Sequence, residues 1–357
     1  MFMELNNQNI LQIVSEEYLR TGQINPVWKE ELPEYNQGFL EVGEQFLGCP
    51  IDFKDKTKSS FFSQKDRVYL FGKKGGEFSH VFKIYKNQKD AFGEKIAYDL
   101  LSGHLPPFAR LAQLIQIGKM GGELFWIMER VKGISSTDAY GKANTKERVV
   151  WTEKLALVAA SIHRENVLPL AIQEAESIFQ NKLLFLKERM AALEESKLLK
   201  KIMVEEMPRL EQLAKECLKE PMTSSLAFGD FHESNYLFSL ESGEIHLFDQ
   251  SLLLNDSTIR KSFPINRENN VAVVLNMLDS LALKKRIRLK EVSKLKEVFF
   301  NVWRKETNQG GSFNMILFCY RHRILSKLLQ QISKAPSNLD LIADLYFDYL
   351  SNPSFLD

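Results

Sequence analysis

The stretch Leu226–Phe238 reads LAFGDFHESNYLF, and the interpretation of the whole chain can be built outward from it. A short apolar run ends at Gly229-Asp230, and Asn235 follows five positions after the aspartate. Asp, Asn and Gly are common turn formers, so local composition is compatible with a simple surface turn. The same residues could also form a loop that carries chemistry. The stretch alone leaves both interpretations open.

A second carboxylate follows this stretch at a regular distance. Residues 235–240 and 244–248 are predicted as two strands joined by the turn at residues 241–243, which contains a glycine. Asp249 stands directly after the second strand, 14 residues beyond Asn235. The predicted hairpin therefore returns Asp249 to the side on which Asn235 lies.

Phosphoryl transfer is a reaction that needs these residue types at these spacings. It needs a carboxylate for the acceptor hydroxyl, hard oxygen ligands for Mg²⁺ and a lysine for the nucleotide phosphates. In the catalytic loop of kinases the base and the metal-binding asparagine are five positions apart, as are Asp230 and Asn235 here. The combination favours a catalytic loop over a turn.

A lysine of the required kind lies far upstream. Alternation in the predicted strand Ser79–Tyr85 puts Lys83 on the face opposite Phe82. Glu94 falls in the first turns of a helix predicted over Asp90–Leu101, where it can pair with Lys83 as the lysine and helix glutamate of kinases do. Taken alone, the two residues fit a surface ion pair of little energetic weight equally well.

The pattern of apolar residues changes along the chain and predicts three parts. Residues 1–50 are predicted as a helical extension, residues 51–131 as strand, strand, helix, strand, strand, and residues 132–357 as mainly helical. In the last part, Glu174–Lys219 is predicted as two helices divided near Pro208.

Composition sets broad limits. The 357 residues carry a formal charge of +1, which gives no global attraction to nucleic acid or to an anionic membrane. Three widely separated cysteines fit a reducing compartment without disulfides. The N-terminal residues resemble neither a signal peptide nor a membrane span, so we expect a cytoplasmic protein without a membrane span.

Taken in order, these elements resemble a known family. The chain resembles the aminoglycoside phosphotransferase and choline kinase branch of the protein-kinase-like fold. The resemblance rests on the hairpin with Lys83, the helix with Glu94, the strand LFWIMERVKG, the helix LALVAASIH and the motifs FGDFHESN and LFDQ. The resemblance spans about residues 53–250. It implies an α+β bilobal fold, with a small antiparallel-sheet N-lobe that binds nucleotide and a larger, mainly helical C-lobe that carries catalysis and the acceptor.

The resemblance also implies a role for each candidate residue, with Mg²⁺ as cofactor and ATP or GTP as co-substrate. These roles are Asp230 as catalytic base, Asn235 and Asp249 as Mg²⁺ ligands, Lys83 on the nucleotide phosphates with Glu94 orienting it, and the backbone of Glu129 to Val131 as the adenine-binding hinge.

The chain departs from the family's pattern at three places. Phe228 stands where family members usually have the histidine of His-Gly-Asp, a residue that normally braces the loop. The nucleotide-covering loop, residues 56–63, has no glycine, so its amides and the Ser59 and Ser60 hydroxyls would contact phosphate. Asn270-Val-Ala272 replaces a common Asp-Leu-Ala segment.

These observations predict a kinase that phosphorylates a hydroxyl of a small molecule, either an aminoglycoside, a sugar or an amino-alcohol. A nucleotide-binding pseudokinase or regulatory scaffold is an alternative. An atypical protein kinase is a further alternative, although no Phe-Gly follows Asp249.

Polycationic aminoglycosides need clustered carboxylates, and residues 284–306 instead carry nine Lys/Arg against three Glu. Trp151, Trp303 and Tyr320 could cage a quaternary amine, but core packing is the stronger interpretation.

Overall fold

The structure is a computed structural model of the chain. It describes the following residues: 32–56, 66–86, 101–165, 168–225, 231–248, 266–284, 286–308, 312–334 and 339–351, together with Ala91, Glu94, Tyr98 and Phe228.

The chain divides into two compact units. The first contains Met1–Gly103, Arg110–Gly133 and His246–Ser257, and the second contains His104–Ala109, Ile134–Ile245 and Thr258–Asp357. The first is built around a sheet and the second around helices. The predicted α+β fold class is confirmed.

The first unit contains a six-stranded sheet with the order β1-β6-β7-β4-β3-β2. All neighbouring strands are antiparallel except β1 and β6, which are parallel. Its strands are β1 (Glu34–Tyr35), β2 (Ile51–Asp55), β3 (Asp66–Lys73), β4 (His80–Tyr85), β6 (Leu114–Met120) and β7 (Glu123–Glu129); β5 (Ala109–Leu111) lies outside this sheet.

One face of this sheet is apolar and packs against helix α1 (Phe39–Leu47). Phe82 and Phe125 from adjacent strands stack there with ring centroids 4.9 Å apart, and Val42 of α1 joins the same cluster. Because side chains alternate along β4, Lys83 lies on the opposite face. The predicted orientation of Lys83 is therefore confirmed.

A helix covers the face of Lys83. Among its described residues, Ala91, Glu94, Tyr98 and Leu101 recur at steps of three and four and are all buried. Tyr98 meets Trp126 of β7 edge to face, with ring centroids 5.5 Å apart. Ala91, Tyr98 and Leu101 are the apolar or aromatic residues of this face and pack the helix against the sheet. Glu94 lies among them.

The hairpin between β6 and β7 turns at two glycines. Its two connecting residues, Gly121 and Gly122, both have positive φ, at 57° and 80°. A tight two-residue hairpin turn needs that conformation, which glycine adopts at little cost.

The predicted helical extension over residues 1–50 did not include β1, which joins the edge of the sheet beside β6.

The second unit is mainly helical. Its helices are α2 (Ser136–Lys142), α3 (Thr145–His163), α4 (Ile172–Ala191), α5 (Lys197–Lys201), α6 (Met207–Cys217), α7 (Asn266–Leu283), α8 (Leu289–Glu306), α9 (Phe313–Lys334) and α10 (Leu339–Ser351). The remaining short strands are β8 (Ile134–Ser135), β9 (Leu168–Pro169), β10 (Thr223–Ser224), β11 (Tyr236–Phe238) and β12 (Ile245–Leu247). In the described part of the chain, no helix is long and apolar enough to cross a membrane.

The predicted division of a helix near Pro208 is wrong. Helix α4 ends at Ala191, and the next helical segment continues without interruption from α5 through a π-helical turn at Ile202–Glu206 into α6. Pro208 lies at the start of α6. Proline lacks an N–H and clashes with the carbonyl four residues earlier, and the wider π turn before it accommodates both problems.

The aromatic residues considered for a quaternary-amine cage are mostly core residues. Trp303 and Tyr320 are fully buried and hydrogen-bonded to other side chains of the second unit. Trp151 packs against Phe238, with ring centroids 4.0 Å apart. Core packing is therefore the correct interpretation of Trp303 and Tyr320.

Candidate active site

The structure brings Lys83 and Glu94 together. Lys83 Nζ lies 2.6 Å from Glu94 Oε2, and both side chains are less than 10 % exposed. A surface ion pair contributes little, but a pair this short and this buried strongly limits where the ammonium group can lie. The surface-pair alternative is excluded for these two residues.

Two further residues lie next to this pair. The Tyr85 hydroxyl donates a hydrogen bond of 2.7 Å to the same Glu94 oxygen. Asp66 Oδ2 lies 3.7 Å from Lys83 Nζ. Lys83 also lies 4.7 Å from the centroid of the Tyr85 ring. The ammonium group therefore has two carboxylates and an aromatic ring in its neighbourhood.

Asp66 and Tyr85 are not among the site residues that the sequence predicts. Asp66 pairs with Tyr85 in the register of β3 and β4, and Val68 pairs with Lys83. Asp66 is thus a diagonal neighbour of Lys83 on the same face of the sheet. Alternation showed that Tyr85 shares the face of Lys83, but only the strand register places Asp66 there.

The predicted adenine hinge, Glu129 to Val131, begins at the last residue of β7. The Glu129 N–H donates to the Gln113 carbonyl, and the Arg130 N–H donates to the Ser79 carbonyl. The Glu129 carboxylate accepts from the Gln113 N–H and from Arg110. Since two of the three amides are engaged, a nucleotide base would depend on the Val131 N–H and on carbonyl oxygens of this segment.

In the second unit, the loop of the opening motif is only partly described. Asn235 is buried, and its backbone N–H donates 2.9 Å to the His232 carbonyl, which closes a tight turn before β11. The Ser239 N–H donates to the Glu244 carbonyl, so the predicted hairpin between β11 and β12 is confirmed. The predictions for Ser59, Ser60, Asp230 and Asp249 lie outside the described residues.

Phe228, the residue that departs from the family's pattern, is fully buried. Its ring stacks on Phe231 with centroids 4.5 Å apart and an interplanar angle of 14°. Phe231 in turn packs on Tyr236, the first residue of β11. Aromatic packing therefore anchors both ends of the short segment that contains Asp230.

The backbone of Phe228 is held by a side chain of α7. Its N–H donates 3.0 Å to Asn270 Oδ1, and its carbonyl accepts 3.0 Å from Asn270 Nδ2. His163 Nε2 contacts the same Asn270 oxygen at 3.0 Å, and Trp303 Nε1 contacts His163 Nδ1 at 2.9 Å. In the sequence Asn270 is visible only as a departure from the family's pattern, because the members of this network lie more than 100 positions apart in the chain.

The charges beside the loop are mixed. Burial opposes ionisation of Glu233, yet nearby Lys327 and Arg323 outweigh it and lower the pKa of this carboxyl. Burial lowers the pKa of Lys327 to about 8. The Glu233 carboxylate, which follows Asp230 in the loop, therefore lies close to cations.

The sequence profile of the phosphotransferase enzyme family matches residues 63–249, more than half of the chain. The chain therefore belongs to this family, which defines it as a kinase-type phosphotransferase with a hydroxyl acceptor. The suspected relationship to aminoglycoside phosphotransferases is confirmed. No curated protein sequence matches the chain.

Solved structures show the same fold at low sequence identity. A glucosamine kinase superposes with a TM-score of 0.56 at 11% identity, covering 86% of this chain and 78% of that one. The GDP and kanamycin complex of APH(2")-IIia gives 0.50 at 16% identity, covering 87% and 97%. The ternary complex of the aminoglycoside phosphotransferase APH(4)-Ia with AMP-PNP and hygromycin B gives 0.51 at 11%, covering 87% and 97%.

Proposed function

We propose that this chain transfers the γ-phosphate of ATP or GTP to a hydroxyl of a small molecule, with Asp230 as the base. The observation that carries the proposal is the buried contact of 2.6 Å between Lys83 and Glu94. A lysine held in this way has a fixed direction and can bind nucleotide phosphates without first losing conformational freedom. Such a contact has a clear use in phosphoryl transfer, whereas an exposed pair would not.

Mg²⁺ fits the donors that the chain offers. Asn235 supplies an amide oxygen on a buried side chain, and Asp249 supplies a carboxylate. Hard oxygen donors of these types are the ones that Mg²⁺ prefers. We assign Asn235 and Asp249 as the residues that would hold the ion, which would neutralise phosphate charge during transfer.

The chain's own residues then divide the remaining work. Lys83, oriented by Glu94, would bind the nucleotide phosphates, and the segment from Glu129 to Val131 would bind the base. Ser59 and Ser60 would contact the phosphates from the covering loop. Asp230 would accept the proton of the acceptor hydroxyl as the oxygen attacks phosphorus.

A sugar or an amino-alcohol is the acceptor that the charges favour. A polycationic aminoglycoside would need several carboxylates facing it. Glu174, Glu176 and Glu194 are all exposed, and Glu233 is matched by cations. None of these four carboxylates belongs to a buried acidic site, which favours an acceptor with few positive charges or none.

ADP release, measured over a panel of hydroxylated compounds, tests this function. The panel contains glucosamine, neutral hexoses, amino-alcohols, kanamycin and hygromycin B, each with Mg·ATP and with Mg·GTP. We expect turnover with a sugar or an amino-alcohol, and its loss both in Asp230→Ala and after removal of Mg²⁺ with EDTA. Nucleotide binding without turnover on any acceptor would instead support the regulatory scaffold.

A further inference from the structure

The bond pattern between Asn270 and Phe228 is directional. An amide has one accepting end and one donating end, and Asn270 uses both on a single residue of the loop, at 3.0 Å each. Phe228 and Asn270 are both fully buried. Because neither end can turn to water, a side chain that lacks either function leaves a buried backbone group without its partner.

Trp303 and His163 determine which way the amide faces. An indole N–H can only donate, so His163 Nδ1, 2.9 Å from Trp303 Nε1, must accept. The proton of the neutral ring then lies on Nε2, which donates to Asn270 Oδ1 at 3.0 Å. The oxygen of Asn270 is thereby assigned, and its NH₂ group must face the Phe228 carbonyl.

Three helices contribute to this arrangement. Trp303 belongs to α8, His163 is the last residue of α3, and Asn270 lies in α7. Each side chain has well-packed surroundings, since all three are nearly or fully buried. The loop is therefore fixed by rigid elements and not by its own residues alone.

A carboxylate at position 270 would not reproduce these bonds. One oxygen could accept from Phe228 N–H and from His163, but the other would face the lone pairs of the Phe228 carbonyl 3.0 Å away. His163 could not take up a compensating proton without losing a bond, because its Nδ1 already accepts from the Trp303 indole N–H. An ionised carboxylate would thus be buried against a carbonyl dipole.

We propose that Asn270 is a positioning residue for Asp230, and that its place in this chain requires an amide and not a carboxylate. The amide holds the backbone two residues before the base, and His163 and Trp303 hold the amide. The inference rests on the proposed function to the extent that Asp230 is the base. Its geometric part, the clamp on Phe228, does not depend on any activity.

The test compares Asn270→Asp with Asn269→Asp in the full chain. Asn269 is the partly exposed neighbour in α7, so it controls for the same chemical change on the same helix. Hydrogen exchange of the peptide that spans residues 226–236 should become at least about tenfold faster in Asn270→Asp and stay unchanged in Asn269→Asp. Unchanged exchange in Asn270→Asp would overturn the proposal.

The tautomer of His163 provides an independent readout. In the wild-type chain labelled with ¹⁵N-histidine, a long-range ¹H–¹⁵N spectrum should place the ring proton on Nε2. Trp303→Phe, which removes the donor and keeps a smaller aromatic ring, should allow the other tautomer. A wild-type spectrum with the proton on Nδ1 would overturn the assignment of the amide.

Kinetics test the consequence for Asp230. ADP release with Mg·ATP and the best acceptor of the panel should fall about 10- to 100-fold in kcat for Asn270→Asp, with KM for Mg·ATP little changed. Calorimetric titration with ADP, at unchanged stoichiometry, shows that the variant is folded. If the wild type has no turnover, the proposed function fails, and the exchange data still test whether Asn270 holds the Phe228 backbone. If Asn270→Asp turns over at the wild-type rate, the positioning role of Asn270 is refuted.

Discussion

Replacing Glu94 by glutamine tests whether the pair with Lys83 serves the nucleotide. Glutamine keeps the size of the side chain and an oxygen that can accept from both Lys83 and the Tyr85 hydroxyl, which now donate at 2.6 and 2.7 Å. The substitution therefore removes charge and little else. Asp66, a second carboxylate 3.7 Å from Lys83 Nζ, remains and would draw the ammonium group toward β3.

The size of the effect follows from the type of bond. A hydrogen bond to a charged group contributes roughly 1.5–3 kcal/mol and a neutral one about 1 kcal/mol. The variant should thus lose about 1–2 kcal/mol in holding Lys83, which corresponds to a factor of about 5–30. We expect kcat/KM for Mg·ATP to fall by this factor, and the affinity for ADP to fall in the same direction.

A pair on the same sheet provides the control. Arg67 and Glu123 also form an ion pair, but their side chains are 40% and 41% exposed. Exposed pairs contribute about 1 kcal/mol or less, so Glu123→Gln should leave nucleotide affinity and kcat/KM unchanged. Both variants are measured by ADP release and by calorimetric titration with ADP. If Glu94→Gln binds and turns over nucleotide like Glu123→Gln, the orienting role of Glu94 is refuted.

Asp249→Ala should weaken Mg²⁺-dependent ADP binding more than Asp230→Ala, because it removes a predicted metal ligand and not the base; calorimetry that gives equal affinities would contradict this. Lys296→Met should lower the free energy of unfolding, measured in a denaturant series, by roughly 3–5 kcal/mol. The reason is that the buried Asp279 carboxylate, which lies 3.0 Å from Lys296 Nζ, would lose this ion-pair partner. A loss below about 1 kcal/mol would show that the pair is dispensable. Burial lowers the pKa of Lys327 to about 8 from an ordinary 10.5, so between these values the unfolded chain binds more protons and stability rises with pH. The rise should be at most about 3 kcal/mol and absent in Lys327→Met, and parallel pH curves for the two proteins would rule it out.

Local patterns were sufficient to predict the pairing of Lys83 with Glu94. Alternation along β4 put Lys83 opposite Phe82, and the helical period put Glu94 within reach of it; both expectations agree with the structure. These predictions succeed because each depends on a single element or on two that follow each other in the chain. The roles of Asp230, Asn235 and Asp249 came from spacing and resemblance, and they stay predictions.

The course of the helices near Pro208 shows a limit of local rules. Because proline usually ends a helix, the sequence predicts a division near Pro208. The chain instead continues through the π-helical turn at Ile202–Glu206. Packing of Ile202 and Met207, which are both buried, decides that outcome, and propensity does not.

The sequence by itself determined the class of fold and the chemical types available, because strand and helix periods and the spacing of Asp230, Asn235 and Asp249 are local properties. Only the tertiary structure decided how the departure at Phe228 is compensated. A ring that cannot hydrogen-bond is buried on Phe231, and Asn270 holds the backbone instead. That contact joins residues 42 positions apart. Its direction is set by His163, whose tautomer is fixed in turn by Trp303 of α8. Such bonds depend on how helices pack, which no local pattern of residues specifies.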